Sequence, residues 1–469
     1  MRTVALALVL ILVCGASLWA EPYFANGFKV GEVTQDSAIV WTRLTAAPEM
    51  LWDGIPFEKY AKAYPETQLP PKTSITKMQH SVPGMRGQVR VVYWLDAGKG
   101  AAVTTDWAAV DPTRDFTHQF KLTGLRPGRS YGMRVEANGG AVVTGGFKTA
   151  PSPEHPADVE FAVVTGQGFW RRDVPDKGHQ IYTHMLDLEP DFFVHTGDIL
   201  YYDKPNPNAV TVALARLKWN RMFALPYQRA FHNQVTSYFI KDDHDTWQND
   251  CWPSMKNNKM GGFSFEEGVV IFPEQVPMGE KTYRTFRWGK DLQVWMVEGR
   301  DYRSANPAPD GPEKTIWGAE QKAWFKRTVL ESDAAFRVLI SPTPINGPDR
   351  ENKNDNHAND APGYVHEGNE LRAFMAQQKN MFVICGDRHW QYVSVDPKTG
   401  LREYSTGPTS MKHAGGFKQE LREPMHQYLN ITGGFFTASV TREAGRPVMI
   451  LRHHGVDGAV LNEDWFWSE

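Results

Sequence analysis

Three apolar runs in this chain end in side chains suited to holding a metal ion. Phe192-Phe193-Val194 leads into His195-Thr196-Gly197-Asp198, and Tyr238-Phe239-Ile240 into Lys241-Asp242-Asp243-His244-Asp245. Phe382-Val383-Ile384 leads into Cys385-Gly386-Asp387-Arg388-His389-Trp390. In an open α/β sheet the site lies at the carboxyl ends of the strands. Asp198, Asp243, His244, Asp387 and His389 are therefore expected on one rim. Carboxylates crowded together resist ionisation unless a cation sits among them. A mixed oxygen and nitrogen ligand set suits iron, manganese or zinc, with calcium where oxygen dominates. A single Asp after a strand is more often a turn former or helix cap. Three such ends, two with Gly-Asp and two with a nearby His, outweigh that reading. Neighbours at a strand end point to opposite sides, so one of Asp242 and Asp245 is read as structural.

The elements that must carry these residues follow from periodicity. After residue 157 short, fully apolar runs alternate with helical stretches, the pattern of an α/β domain. Buried strands are expected at 160–164, 191–194, 238–240, 292–297, 337–340 and 381–384, with a helix at 319–330. Before residue 150 the period is two. Ile39 and Trp41 share one strand face; Val89, Val91, Tyr93 and Leu95 share another. Leu125-x-Pro127-x-x-x-Tyr131 suits a sandwich corner in which the tyrosine hydroxyl ties back to its turn, as in a fibronectin or immunoglobulin fold. Residues 45–85 read as an insertion in that sandwich, and 149–157, with Pro151, Pro153 and Pro156, as a linker.

Residues 1–20 read as a signal peptide: Arg2, an apolar run from Val4 to Val13, then Ala20 before Glu21-Pro22. A secreted or periplasmic location follows, and no transmembrane segment is expected in the mature chain. Cys14 would invite a lipid anchor, but Val13 precedes it where a small residue is required. Only Cys251 and Cys385 remain, enough for one disulfide but not a disulfide scaffold. A formal charge of −3 over 469 residues gives no nucleic-acid-binding signal.

Gly-Asp-x-x-Tyr at 197–201, Asp-Asp-His-Asp at 242–245 and Gly-Asp-Arg-His at 386–389 together resemble the alkaline phosphatase D (PhoD-like) family of metallophosphoesterases. Glu298-Gly299-Arg300-Asp301-Tyr302-Arg303 and the helix start at Trp317-Gly318-Ala319-Glu320-Gln321 are similar to that family too. The resemblance implies a fibronectin/immunoglobulin-like β-sandwich over 21–150 and an α/β catalytic domain over 158–469. The latter would be an αββα metallophosphoesterase-type sandwich. It further implies Asp198 bridging two metals, Tyr201 ligating one as phenolate, and Asp243, Asp387 and His389 completing the set. His244 would contact the phosphate, and iron and calcium would be the ions, with manganese or zinc as alternatives. One departure stands out. The family places a Cys-Gln pair at the end of the first catalytic strand, and here the chain reads Thr165-Gly166-Gln167. Gln167 could still hold a metal or substrate, but no thiolate is available there. Cys251 is the one candidate to replace it in space, whereas Cys385 reads as a buried strand residue.

A polar stretch at 352–359, without apolar periodicity, should loop over the same rim. Lys353 and His357 are its candidate substrate-binding residues, against a capped surface loop. The expected activity is hydrolysis of small-molecule phosphate mono- or diesters by metal-activated hydroxide, with His244 able to protonate the leaving oxygen. The alternatives are a sulfate-ester or other oxyanion-ester hydrolase on the same metals, and a non-catalytic cell-surface binding protein with a degenerate phosphatase domain.

Overall fold

The computed structural model describes residues 21–95, 101–256, 259–350, 353–358 and 363–469. The expected leader, with Cys14, lies outside them. The amino-terminal alternation folds into two antiparallel sheets. One holds Phe28–Gly31, Ser37–Arg43 and Thr117–Thr123; the other is built on Gln88–Leu95, Ser130–Ala137 and Val142–Lys148. Val30, Val40 and Leu122 from the first meet Val89, Val91 and Val135 from the second in one buried cluster. The tyrosine corner forms: the Arg126 amide donates to the Tyr131 hydroxyl at 2.8 Å.

Two features of this part differ from the expected pattern or exceed it, for one reason. On Ser37–Arg43 it is Ala38 and Val40 that enter the sandwich core. Trp41 lies on the opposite face, buried because its indole N–H reaches the Glu274 carbonyl at 2.8 Å. The sandwich thus packs against the rest of the chain, and its outer face is covered as well. Residues 45–85 contain only isolated bridges and two 3-10 turns, Phe57–Lys59 and Ile75–Lys77. Phe57 and Met78 bury against Val210, Leu214 and Leu217. The insertion is therefore pinned to the second part of the chain.

That second part contains two mixed sheets. The six-stranded sheet runs Ser237–Phe239, Phe192–His195, Val159–Val164, Gly434–Glu443, Arg446–Gly455, Val460–Trp467, with the first three parallel. The seven-stranded sheet runs Arg284–Trp288, Leu292–Met296, Phe336–Ser341, Met381–Cys385, Arg402–Thr406, Gln391–Val395, His426–Asn430. Its four strands from Leu292 to Thr406 are parallel. Phe161, Val163 and Val194 of one sheet share a buried cluster with Val294, Ile340 and Ile384 of the other. Their opposite faces are buried too. Ala162 and Phe193 pack on Ile181 and Phe231, and Leu339 and Val383 on Phe325 and Leu371. Strands buried on both faces must be apolar throughout, which is why their runs were visible in the sequence.

The geometry delivers the parallel strand ends of both sheets to one rim. Gly386 shows how closely they meet. A Cβ there would fall 2.5 Å from the Thr196 hydroxyl oxygen and 2.8 Å from that of Thr165. Only glycine lets the end of Met381–Cys385 seat against strand ends of the other sheet. Among the described residues no helix is long and apolar enough to cross a membrane.

Candidate metal centre

Asp198 and Asp387 each follow a glycine, and each adopts a left-handed backbone, with φ of 54° and 64°. That conformation suits Asp better than most residues, and it turns both carboxyl groups back over the strand ends. The Gln167 amide holds the Asp198 carbonyl at 2.7 Å, and the Asp387 amide reaches the Thr165 hydroxyl at 3.3 Å. Asp243 opens the short helix Asp243–Thr246. Its carboxylate accepts the His244 amide at 2.9 Å and the Asp250 amide at 2.5 Å.

Asp198, Asp243 and His244, all buried, offer ligand atoms within 4.8 Å of one another. Tyr201 and His389 complete the cluster. The Tyr201 hydroxyl donates to Asp198 Oδ2 at 2.7 Å and lies 3.1 Å from His389 Nε2, which is itself 3.6 Å from Asp198 Oδ2. Asp198 Oδ1 is buried without any partner. Leaving such an oxygen unpaired costs about 1–3 kcal/mol or more when charged. Burial, reinforced by Asp243, pushes the Asp198 carboxyl up to about 7 even though His244 opposes the shift. Asp387 is likewise raised to about 7 by burial and by Asp355, against Arg388 and Lys353. His244 goes up to about 10: burial opposes the shift, but Asp243, Asp203 and Asp198 outweigh it. His389 falls to about 3 through burial and the His244 charge, so its imidazole is neutral and free to ligate. Buried carboxylates crowded together, one of them with an unpartnered oxygen, beside a phenol and a neutral imidazole, fit a cation by their chemistry.

Sequence reasoning missed several supporting residues. Asp203 accepts from His244 Nδ1 at 2.7 Å and fixes the ring. Arg300, fully buried, pairs with Asp242 at 2.6 Å. Asp245 accepts the Asp242 and Ile199 amides at 2.6 and 3.0 Å, the contacts of a structural carboxylate, while Asp242 keeps Oδ2 buried with no partner. His413 Nδ1 donates to the Gly166 carbonyl at 3.0 Å, and its ring centroid lies 4.2 Å from that of His389 at a 45° tilt. Asp203, Arg300 and His413 act through contacts across at least forty residues, which spacing does not show.

A family model described as "PhoD-like phosphatase" matches residues 161–432, and one described as "PhoD-like phosphatase, N-terminal domain" matches residues 16–151. The chain belongs to the PhoD-like phosphatase family. Alkaline phosphatase D of Bacillus subtilis (strain 168) is 23% identical over 355 residues, which cover 67% of this chain and 55% of that protein. The match thus spans little more than half of the relative's length. Among solved structures, one titled "Structure of PhoD" superposes with a TM-score of 0.72 at 18% identity, covering 96% of this chain and 91% of that one. A purple acid phosphatase from yellow lupin (Lupinus luteus) seeds gives 0.63 at 13% identity, covering 93% and 73%. At such identities the structures establish a shared fold and nothing further.

The three expected substrate contacts fare differently. Gln167 is fully buried; its side-chain oxygen accepts from Tyr182, and its Nε2 has no partner. Lys353 does lie at the rim, paired with Asp250 at 2.7 Å and Asp355 at 3.3 Å. His357 does not. It is fully buried between Trp317 and Tyr364, with Nε2 2.9 Å from Glu367. The polar sequence around it turns inward because Glu367, also buried, needs partners. Against its burial, His357, Thr315 and the Ile316 amide hold Glu367 down to about 2. A depressed carboxylate contributes stability above its unfolded value and loses it as pH falls, here between about 4.5 and 2. Burial lowers the His357 imidazole and keeps it neutral, so His357→Ala removes a hydrogen-bond partner of Glu367 rather than an ion pair and should destabilise the fold by about 1–3 kcal/mol at neutral pH, read by denaturant unfolding. Its KM for any ester should stay at the wild-type value.

Both cysteines are free and buried. Cys251 donates to the Asp243 carbonyl at 3.5 Å from within the cluster around Trp247 and Phe263. Cys385 sits 3.3 Å from the Tyr392 hydroxyl. Burial raises both thiols, away from the thiolate that binds metals. Gly166 itself has φ of 61°, and a Cβ there would come 3.1 Å from the His389 ring.

Proposed function

We propose that this chain is an exported metal-dependent phosphoesterase acting on small phosphate mono- or diesters. One observation carries the reading. Asp198, Asp243 and His244 converge within 4.8 Å around a buried, unpartnered Asp198 oxygen. Asp198, Tyr201, Asp243, Asp387 and His389 would hold the ions, iron and calcium or manganese or zinc. A pair of cations held there would polarise a phosphoryl oxygen and lower the pKa of water. The side chains do the rest. Asp203 orients His244 through Nδ1 and keeps it protonated, leaving Nε2 to give its proton to the leaving oxygen. The family's N-terminal model and the tyrosine corner support dividing the chain into a sandwich at 21–150 and a catalytic domain at 158–469. The helix contacts on the outer faces of both large sheets support an αββα layering for the latter. The apolar run after Arg2 supports export.

The direct test is to strip the protein with a chelator, restore single metals, and follow 4-nitrophenyl phosphate, its bis ester and 4-nitrophenyl sulfate. Turnover of a phosphate ester that survives complete metal removal would sink the proposal. Preference for the sulfate would favour the other oxyanion chemistry.

The same reading excludes thiolate ligation. Cys251→Ser and Cys385→Ser should each keep full metal content, whereas Tyr201→Phe should lower it and remove any phenolate charge-transfer band. Elemental analysis and absorption spectra decide this, and metal loss in folded Cys251→Ser would overturn it.

A further inference from the structure

Beside the candidate metal centre lies a cavity of about 510 Å³, walled partly by the insertion of the amino-terminal sandwich and partly by the second part of the chain. Phe57, Glu58 and His80 come from the insertion; Phe169, Trp170, Arg171, Arg172, Lys204 and Arg221 come from the other side. Trp170 joins the cavity to the metal centre. Its ring lies 5.1 Å from that of Tyr201, and its outer edge remains exposed.

The charge balance of this cavity is one-sided. Four cations line it against a single acid, Glu58. Among the described residues none of Arg171, Arg172, Lys204 or Arg221 is in an ion pair, although this chain pairs many of its other arginines and lysines. Two of the guanidinium groups are held in place. Arg172 and Arg221 stack on the Phe169 ring, 3.7 and 4.3 Å from its centroid. Arg172 spends Nε on the Pro175 carbonyl at 2.9 Å and Nη1 on the Phe169 carbonyl, which leaves Nη2. Arg221 is 4% exposed; its Nη1 donates to the Asn206 carbonyl at 2.8 Å, and its Nε is buried with no partner. With no carboxylate in an ion pair with these four groups among the described residues, the wall carries positive charge that an anion entering the cavity would balance.

Resting on the phosphoesterase reading, we propose that this cavity is a second anion subsite. It would take a phosphate or carboxylate group carried on the far side of the substrate, with the connecting moiety lying on Trp170. The preferred substrates would then be organic phosphates bearing a second anionic group. The insertion would select among them, because it closes one wall of the cavity. Bidentate and charge-assisted bonds from guanidinium groups recognise both phosphate and carboxylate, so the two anions need separate tests.

Binding of non-hydrolysable probes to the full-length, metal-loaded protein tests this without relying on turnover. Isothermal titration would compare phenylphosphonate with benzene-1,4-diphosphonate and 4-phosphonobenzoate. At least one of the doubly anionic probes should bind about tenfold or more tightly than phenylphosphonate. Arg172→Ala should bring that preference close to unity, Arg172→Lys should keep part of it, and Lys204→Ala should reduce it on its own. Equal affinity for all three probes in the wild type, or an undiminished preference in Arg172→Ala, would overturn the subsite. Turnover of 4-nitrophenyl phosphate, measured alongside, reports on the phosphoesterase reading separately, since the probes bind whether or not the ester is cleaved.

Discussion

Asp198→Asn should fold, lose most of its bound metal, and hydrolyse phosphate esters at least about 10³-fold more slowly than wild type. Asn keeps the shape and can still accept from Tyr201, but it removes the buried charge around which Asp243, His244, Tyr201 and His389 gather. The stability of the metal-free proteins gives a second, independent sign. Burial raises the Asp198 carboxyl to about 7. A raised carboxylate keeps its proton in the fold at pH values where the unfolded chain has lost it, so metal-free wild type weakens as pH climbs from about 4 to about 7. Asn does not titrate. Stripped Asp198→Asn should therefore match stripped wild type near pH 4 and exceed it above pH 7 in thermal midpoint. Added metal should raise the midpoint of wild type far more than that of the variant. A variant that retains full metal and turnover would move the shared ligand to another carboxylate.

The residues that were legible in the sequence are those with a local signature. The parallel strands at the centre of both sheets are buried on two faces, so Val159–Val164, Phe192–His195 and Met381–Cys385 appear as unbroken apolar runs. Glycine before Asp at two strand ends records a backbone requirement that can be read from the chain alone. The carboxyl-terminal strands carry no such mark. Arg402–Thr406 reads Arg-Glu-Tyr-Ser-Thr, yet it sits inside the seven-stranded sheet, with Glu403 buried to accept the amides of Ile345, Asn346 and Gly347. Gly434–Glu443 pairs with the neighbouring Arg446–Gly455 and, antiparallel, with Val159–Val164, some 275 residues earlier. The same limit hides Asp203 and Arg300. Their importance lies in what they touch, and spacing does not encode it. His357 shows the opposite error. A polar neighbourhood suggested a surface loop, but the partner that draws this histidine inward, Glu367, belongs to the next helix.

His244 and Asp203 give the second large effect, and they separate proton transfer from metal binding. His244→Asn should lower turnover by about 10²–10⁴-fold, the range for losing a positioned acid. Metal content should stay near wild type if His244 serves the leaving group, and it should fall if His244 is a ligand. Asp203→Asn tests the support behind it. The carboxylate accepts from Nδ1 at 2.7 Å and from the Asn249 amide at 3.2 Å, and it helps hold His244 at about 10. Without that charge the imidazolium loses its proton at lower pH, so the alkaline limb of the pH–rate profile should move towards neutrality. Activity lost at pH 9 should then exceed activity lost at pH 7. Stability has its own sign. A histidine raised in the fold stabilises fully below its unfolded value near 6.5 and loses that contribution as pH rises through about 10. Metal-free Asp203→Asn should accordingly be weakest relative to wild type near pH 7, and the two should converge above pH 10. Superimposable pH–rate profiles for the variant and wild type would mean that Asp203 only packs against the ring, and that the proton reaching the leaving oxygen comes from elsewhere.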